Sequence, residues 1–234
     1  MKAAVVTYPG SNCADDAREA LELITSDSVC LLHHNSSEVP SYVDLVVIPG
    51  GYSFGDYLRC GAIASRAPVT NAVVKFYERG GYILGICNGF QILTECRILP
   101  GALERNAKLK FICTSVPLLV CNDDSAFTSA LTSNVITMPV AHHDGRYSID
   151  DENLHVLNSE GRIAFRYATP EGIVSDDANI NGSVGNIAGI LSSNKRVLGM
   201  MPHPERAIGT VRAADYDGAF LLNGIVRACS TILN

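Results

Sequence analysis

Gly80-Gly81-Tyr82-Ile83-Leu84-Gly85-Ile86-Cys87-Asn88-Gly89-Phe90-Gln91-Ile92-Leu93 decides how the rest of the chain is read. Two glycines open the stretch, a compact apolar run follows, and Gly85 and Gly89 flank a cysteine. A short apolar run that ends in glycine and resumes at Phe90, Ile92 and Leu93 predicts a buried strand, a tight turn and a helix. Cys87 falls at the turn. Glycines at 85 and 89 omit side chains where strand and helix must approach, and they accept backbone angles that other residues resist. A cysteine so placed has the form of a nucleophile elbow, with its reactive atom held above the sheet at a helix N-terminus. Free N–H groups and the positive end of the helix dipole favour thiolate over thiol there. Taken alone, Cys87 reads equally well as a small buried hydrophobe, as most unpaired cysteines are.

Working outward, the same strand-then-helix rhythm recurs. Lys2 to Tyr8, Ser28 to His33 and Asp44 to Ile48 read as strands, the last nearly all β-branched or Leu, which suits burial on both faces. Asp15 to Ile24 has helical spacing, with Asp15 and Asp16 where the dipole favours them. Ala62 to Arg79 reads as helix in two pieces around Pro68. Lys110 to Val120, Asn134 to Val140 and Arg162 to Tyr167 alternate, and the region 109–166 is expected to be mostly antiparallel strands. Asp176 to Asn186 reads as a loop, Ile187 to Leu191 and Val197 to Met201 as strands, and 213–233 as a closing helix with Phe220, Leu221, Ile225, Val226 and Ile232 at its periodic positions. The expected fold is α/β, a three-layer sandwich with a mainly parallel central sheet plus added antiparallel strands. No linker-like shift breaks the composition, so residues 1–234 are expected to form one domain.

Bulk properties narrow the function. A length of 234 residues buries a sizeable core. Net charge is −6 and Lys and Arg are scattered, which argues against nucleic acid as a partner. No segment reads as a membrane span or a signal peptide. Eight cysteines without a CxxC pair or metal-ligand spacing point to free thiols in a reducing cytoplasm, with no metal site.

A second informative stretch is Leu198-Gly199-Met200-Met201-Pro202-His203-Pro204-Glu205-Arg206. A strand ends in His203 and Glu205, each preceded by proline, which pushes the residue ahead of it toward extended geometry. In an extended chain residues two apart face the same way, so Glu205 is expected beside the His203 ring. A carboxylate-oriented base is what a cysteine nucleophile needs. Each residue alone reads as an ordinary surface group; together, at C-terminal strand ends, they read as a site. A third stretch, Ile48-Pro49-Gly50-Gly51, ends a strand in paired glycines and can present the N–H of Gly51 opposite that of Asn88, making two oxyanion donors. It serves a plain turn equally well. His142-His143-Asp144 suggests a metal cluster at first sight, but adjacent strand histidines face opposite ways, and the stretch reads instead as structural or as part of a substrate loop. Cys13 and Cys60, with no base beside them in sequence, read as packing residues.

Gly85-Ile86-Cys87-Asn88-Gly89-Phe90-Gln91 together with Pro202-His203-Pro204-Glu205 resembles the class I, or triad, glutamine amidotransferases. Longer stretches resemble, within that class, the glutaminase-subunit family of phosphoribosylformylglycinamidine synthase. These are Pro9 to Cys13, Pro49 to Ala64, Ala141 to Tyr147, Asn186 to Ile190 and Pro202 to Ala207. The resemblance implies that Cys87 attacks the side-chain amide carbon of L-glutamine, that His203 protonates the departing ammonia and then activates water, and that Glu205 orients His203. It implies Gly51 and Asn88 as oxyanion donors and Gly50 and Gln91 as substrate-binding residues. It implies no cofactor in this chain, with ATP and Mg²⁺ on a large synthetase subunit that turns formylglycinamide ribonucleotide into formylglycinamidine ribonucleotide for purine biosynthesis, and a small bridging subunit between the two. The absence of a P-loop agrees with ATP chemistry elsewhere. Two departures stand out. Ile180 in Asn179-Ile180-Asn181-Gly182-Ser183 replaces a proline common in the family, which removes a rigid residue from that loop. Tyr52-Ser53-Phe54 exchanges the ring types usually found there.

Two rival readings use the same residues. A stand-alone cysteine hydrolase, a γ-glutamyl hydrolase or peptidase, would act without partners, and a non-catalytic regulatory subunit would keep only the fold. The long family-like stretches outside Cys87, His203 and Glu205 weigh against the first, and the intact trio against the second.

Overall fold

The computed structural model describes residues 1–209 and 217–231. In chain order the strands are β1 (Ala3–Thr7), β2 (Cys30–His33), β3 (Leu45–Ile48), β4 (Tyr82–Ile86), β5 (Ala102–Glu104), β6 (Ile112–Val120), β7 (Val135–His142), β8 (Arg146–Ser148), β9 (Ile163–Tyr167), β10 (Ile187–Leu191) and β11 (Val197–Met200). The helices are α1 (Ala14–Thr25), α2 (Pro68–Glu78), α3 (Asn88–Glu95), α4 (Asp151–Ser159) and α5 (Asp217–Thr231). Nine strands form one sheet in the order β2-β1-β3-β4-β11-β10-β9-β6-β7, while β5 and β8 pair separately. The first five in that order run parallel, and each later neighbour is antiparallel. The chain is thus an α/β sandwich in which a parallel sheet is extended by antiparallel strands.

Burial follows strand by strand from the sequence. β3 and β11 are buried at every residue, as their continuous apolar runs require of strands covered on both faces. β7 instead alternates half-buried and buried residues along its whole length, the mark of a strand covered on one face. Two helix groups provide the cover: α1 lies against α5, while α3 touches β3, β4 and β11.

Two details differ from the expectations, and a third is covered only in part. The stretch 109–166 contains β6, β7 and β9 as expected, but also β8 and the helix α4. Its start signals are present, since Asp150 caps it by accepting from Asn153 N at 2.9 Å and Asp151 and Glu152 follow. Only Leu157 of that helix is buried, so the apolar period that announces a helix is missing. Before Pro68 the helical piece shrinks to a single 3₁₀ turn, Ala64–Arg66, and α2 begins at Pro68 itself, where a missing N–H costs nothing. The closing helix is seen from Asp217 to Thr231; the expected Ala213 to Tyr216 and Ile232 to Leu233 lie outside the described residues.

Candidate active site

β4 delivers Cys87 to a turn that only a forced backbone can make. Cys87 has φ 51° and ψ −105°, a conformation that L-residues avoid and that accumulates at functional turns. The turn stays tight because Gly89 presses on the neighbouring strand: a Cβ there would stand 2.0 Å from Ile48 O. Phe90 N and Gln91 N close the first turn of α3 onto Cys87 O at 3.0 and 3.2 Å. The N–H groups of Asn88 and Gly51 find no acceptor among the described residues. The Asn88 side chain binds the elbow to the loop after β3. Its Oδ1 accepts from Ser53 N at 3.1 Å, and its Nδ2 donates to Asp56 Oδ1 at 3.0 Å and Gln91 Oε1 at 2.8 Å.

β11 pairs with β4 in parallel, Met200 opposite Ile86, so the chain leaving β11 arrives beside Cys87. There His203 Nδ1 lies 2.6 Å from Glu205 Oε1, with both side chains buried. The contact is the expected one but the backbone route is not. Pro204–Arg206 forms a 3₁₀ turn rather than an extended segment, closed by Arg206 N to His203 O at 3.2 Å and Ala207 N to Pro204 O at 3.0 Å. Proline at the first position of such a turn is already set at its φ, so Pro204 favours turning over extension. Burial works against a charge on the His203 ring, but the Glu205 carboxylate and the nearby Cys87 outweigh it and hold the pKa up at about 10. His203 Nε2 makes no hydrogen bond within ordinary limits, although Cys87 is near enough to act on the ring's charge. The Cys87 sulfur itself reaches Ala141 O at 3.7 Å.

Cys87, His203, Gly51 and Gln91 line one cleft of about 240 Å³, below the size of pockets that take drug-sized ligands, and so fitted to a small molecule. Gly50 stands behind it: a Cβ there would come 2.8 Å from His203 Cε1 and 3.4 Å from Cys87 Cβ. Gln91 lines the cleft with both ends of its amide engaged, Nε2 donating to Asp144 O at 2.6 Å and Oε1 accepting from Asn88.

The cleft also contains residues that the sequence did not single out for it. Cys13 was expected to lack a neighbouring base, yet single ligand atoms of Cys13, His203 and Glu205 all lie within 4.8 Å of one another. No spacing in the sequence announces this, because residue 13 and residue 203 meet only through the sheet order. His142, the last residue of β7, is buried and His143, in the bend that follows, is half-exposed, yet both line the cleft: the strand ends between them, so the expected opposition across a strand does not arise. Asn106 Nδ2 donates to the carbonyls of Lys110 and His142, so its Oδ1 is the acceptor that faces His142 Nδ1 at 3.1 Å. His142 Nδ1 therefore carries the proton and Nε2 is a bare lone pair, buried without a partner. Burial pushes the His142 pKa down to about 4, and His203 adds to the effect.

The glutamine amidotransferase domain described as CobB/CobQ-like matches residues 1–221. A phosphoribosylformylglycinamidine synthase subunit PurQ from Ruegeria sp. (strain TM1040) is 56% identical over 208 residues, 88% of this chain and 89% of that protein. Its counterpart from Cereibacter sphaeroides is 53% identical over 229 residues, 96% of this chain and 99% of that one. The chain belongs to the PurQ family of glutamine amidotransferases. Among solved structures, a chain in the structure of PurLQS from Thermotoga maritima superposes with a TM-score of 0.82 at 40% identity, covering 97% of this chain and 99% of that one. Of the two departures noted in the sequence, Tyr52 lines the cleft, whereas the loop with Ile180 is not part of its lining. The loop with Ile180 in place of proline is held by other means: Gly182 N donates to Asn179 Oδ1, Asn181 Nδ2 to Gly145 O and Ser183 Oγ to Asn181 Oδ1, each at 2.8 Å.

No helix among the described residues is long and apolar enough to cross a membrane.

Proposed function

We propose that residues 1–234 act as one class I amidotransferase domain that hydrolyses the side-chain amide of L-glutamine and passes the ammonia to a separate synthetase. The observation that carries this reading is a cysteine at φ 51° facing a cleft that also holds His203, itself 2.6 Å from Glu205. Cys87 sulfur attacks the amide carbon, and the oxyanion that forms is taken by the N–H groups of Gly51 and Asn88. The C–N bond breaks as the proton on His203 passes to the leaving nitrogen, giving ammonia and a thioester on Cys87. His203 then removes a proton from water, which attacks the thioester, and glutamate leaves with Cys87 restored. Glu205 keeps the ring oriented and stabilises its charged form throughout. Gly50 leaves room for His203 beside Cys87, and Gln91, fixed by Asn88 and Asp144 O, forms the wall along which the substrate side chain lies.

The receiving enzyme in this reading is the large synthetase subunit that uses ATP and Mg²⁺ to convert formylglycinamide ribonucleotide to formylglycinamidine ribonucleotide, with a small subunit bridging the two. The similarity to a chain of PurLQS supports this assembly. The eight cysteines, all free, support a reducing cytoplasm as its setting.

Two measurements test the reading. The isolated chain should hydrolyse glutamine weakly and the assembled complex strongly, and Cys87→Ala should abolish ammonia release in the complex. Unchanged release from Cys87→Ala would overturn the assignment of the nucleophile. Equal hydrolysis of peptide or γ-glutamyl substrates by the chain alone would favour an independent hydrolase.

A further inference from the structure

Cys13 has no part in the chemistry above, yet it is buried beside it. It sits just before α1, where burial pushes its thiol pKa up to about 12; Arg206 Nη2, donating to the sulfur at 3.2 Å, offsets this only in part, so the thiolate needs a cation to form. Glu205 shows a second irregularity. One of its oxygens holds His203, while Oε2 is buried with no hydrogen-bond partner. A carboxylate oxygen isolated from water in this way is poorly solvated and strongly attracts a cation.

Thiol, imidazole and carboxylate together are the ligand set of borderline-soft divalent ions, zinc foremost, whereas hard ions such as Mg²⁺ select oxygen alone. On a zinc ion, sulfur, nitrogen and oxygen ligands stand about 3–4 Å from one another. The ligand atoms of Cys13, His203 and Glu205 already lie within 4.8 Å. Closing the cluster onto an ion takes a contraction of about 1 Å, within the reach of side-chain rotation.

We propose that Cys13, His203 and Glu205 form an inhibitory site for one zinc-like divalent cation. The ion binds Cys13 as thiolate, Glu205 as carboxylate and a ring nitrogen of His203. The thiol and the imidazolium each release a proton to solvent as they become ligands. His203 then carries a metal where catalysis needs a proton, so Cys87 faces a cleft without a base. The nucleophile is not a ligand. The inhibition rests on the proposed role of His203 as base; the binding does not.

Cobalt(II) is the probe, because a thiolate ligand gives it a charge-transfer band. The Cys87→Ala chain, which keeps all three ligands, should develop that band with one equivalent of Co²⁺ and lose it when Zn²⁺ is added. Cys13→Ser and Cys13→Ala should weaken the binding by at least about 100-fold, beyond what losing a mere neighbour of a ligand costs, with unchanged circular dichroism. X-ray absorption on zinc-loaded Cys87→Ala should show a sulfur neighbour at about 2.3 Å, a readout that needs no Cys13 variant to fold. In the assembled complex, Zn²⁺ should suppress glutamine hydrolysis, and Cys13→Ser should resist suppression relative to its own metal-free rate. A band that disappears in Cys87→Ala and survives in Cys13→Ser would place the ion on the nucleophile and overturn the site, as would the absence of any band. Binding through Cys13 without loss of hydrolysis would leave the metal site standing and overturn the role of His203 as base.

Discussion

Gly50 lies so close to His203 that a methyl group on it would stand 2.8 Å from the ring's Cε1. No real Cβ sits comfortably there, and the same methyl would meet Cys13 sulfur at 3.3 Å. Gly50→Ala should therefore displace the imidazole while leaving every catalytic side chain present. We expect kcat for glutamine hydrolysis in the complex to fall about 100-fold, the effect of an ångström's misplacement. The overpacked site should lose about 1–3 kcal/mol of stability. Steady-state kinetics and denaturant unfolding check both. An unchanged kcat would mean that the ring is free to move without consequence.

Glu205→Gln removes the charge that supports the His203 imidazolium and keeps the shape. With the carboxylate gone, burial of the ring is no longer outweighed, so the His203 pKa should drop from about 10. Imidazole proton and nitrogen shifts followed against pH read this directly. Hydrolysis should fall by about three to four powers of ten, as in other triads deprived of the orienting carboxylate.

Asn88→Ala keeps the backbone N–H proposed as an oxyanion donor but cuts the ties to Ser53, Asp56 and Gln91. Ser53 N loses its acceptor in a buried position, which costs about 1–3 kcal/mol. Released from the elbow, the loop that carries Gly51 should hold the second donor less firmly, lowering kcat by up to about 100-fold. Asn88→Asp restores the acceptor for Ser53 N but sets a carboxylate against Asp56, so it should rescue stability incompletely. Comparison of the two variants by kcat and by thermal unfolding separates the tether from the charge.

His142 governs stability in mild acid. Its folded pKa, about 4, lies below the ordinary 6.5, so the unfolded chain binds a proton more readily than the folded one throughout that interval. The His142 contribution is flat above pH 6.5 and turns against the folded state as pH falls from there toward 4, by about 3 kcal/mol in all. His142→Gln should flatten that part of the stability-versus-pH curve, read from urea unfolding at several pH values. A slope identical to the parent's would assign the acid lability to another group.

The parallel half of the fold was legible because its strands are continuous apolar runs punctuated by glycine and proline, and Cys87 because glycines frame it on both sides. His203 and Glu205 were legible as neighbours for a reason that the backbone then altered: Pro204 turns the chain, and the carboxylate still reaches the ring. The helix from Asp151 escaped notice because it buries a single side chain, leaving no period to read. Cys13 escaped as a member of the cleft, and His142 was read only as structural or as part of a substrate loop, for a different reason. Their places depend on which strands become neighbours, and strand order is not written in local spacing. Asn88 was expected to act through its backbone N–H, whereas its side-chain tether to Ser53 and Asp56 depends on a loop conformation that only the folded chain fixes.

β11 is inserted between β4 and the antiparallel strands, and among the described residues it is the last strand in the chain although it sits in the middle of the sheet. A chain still emerging from the ribosome can complete β4 and display Cys87 long before Val197 exists. Such a chain has a nucleophile and no base, and its sheet ends at an unpaired β4 edge. Maturation of the thiol is therefore a late event in the life of each molecule, coupled to the closing of the sheet. Among the described strands, the one that joins the parallel half of the sheet to the antiparallel half is thus also the one that leads into His203 and Glu205.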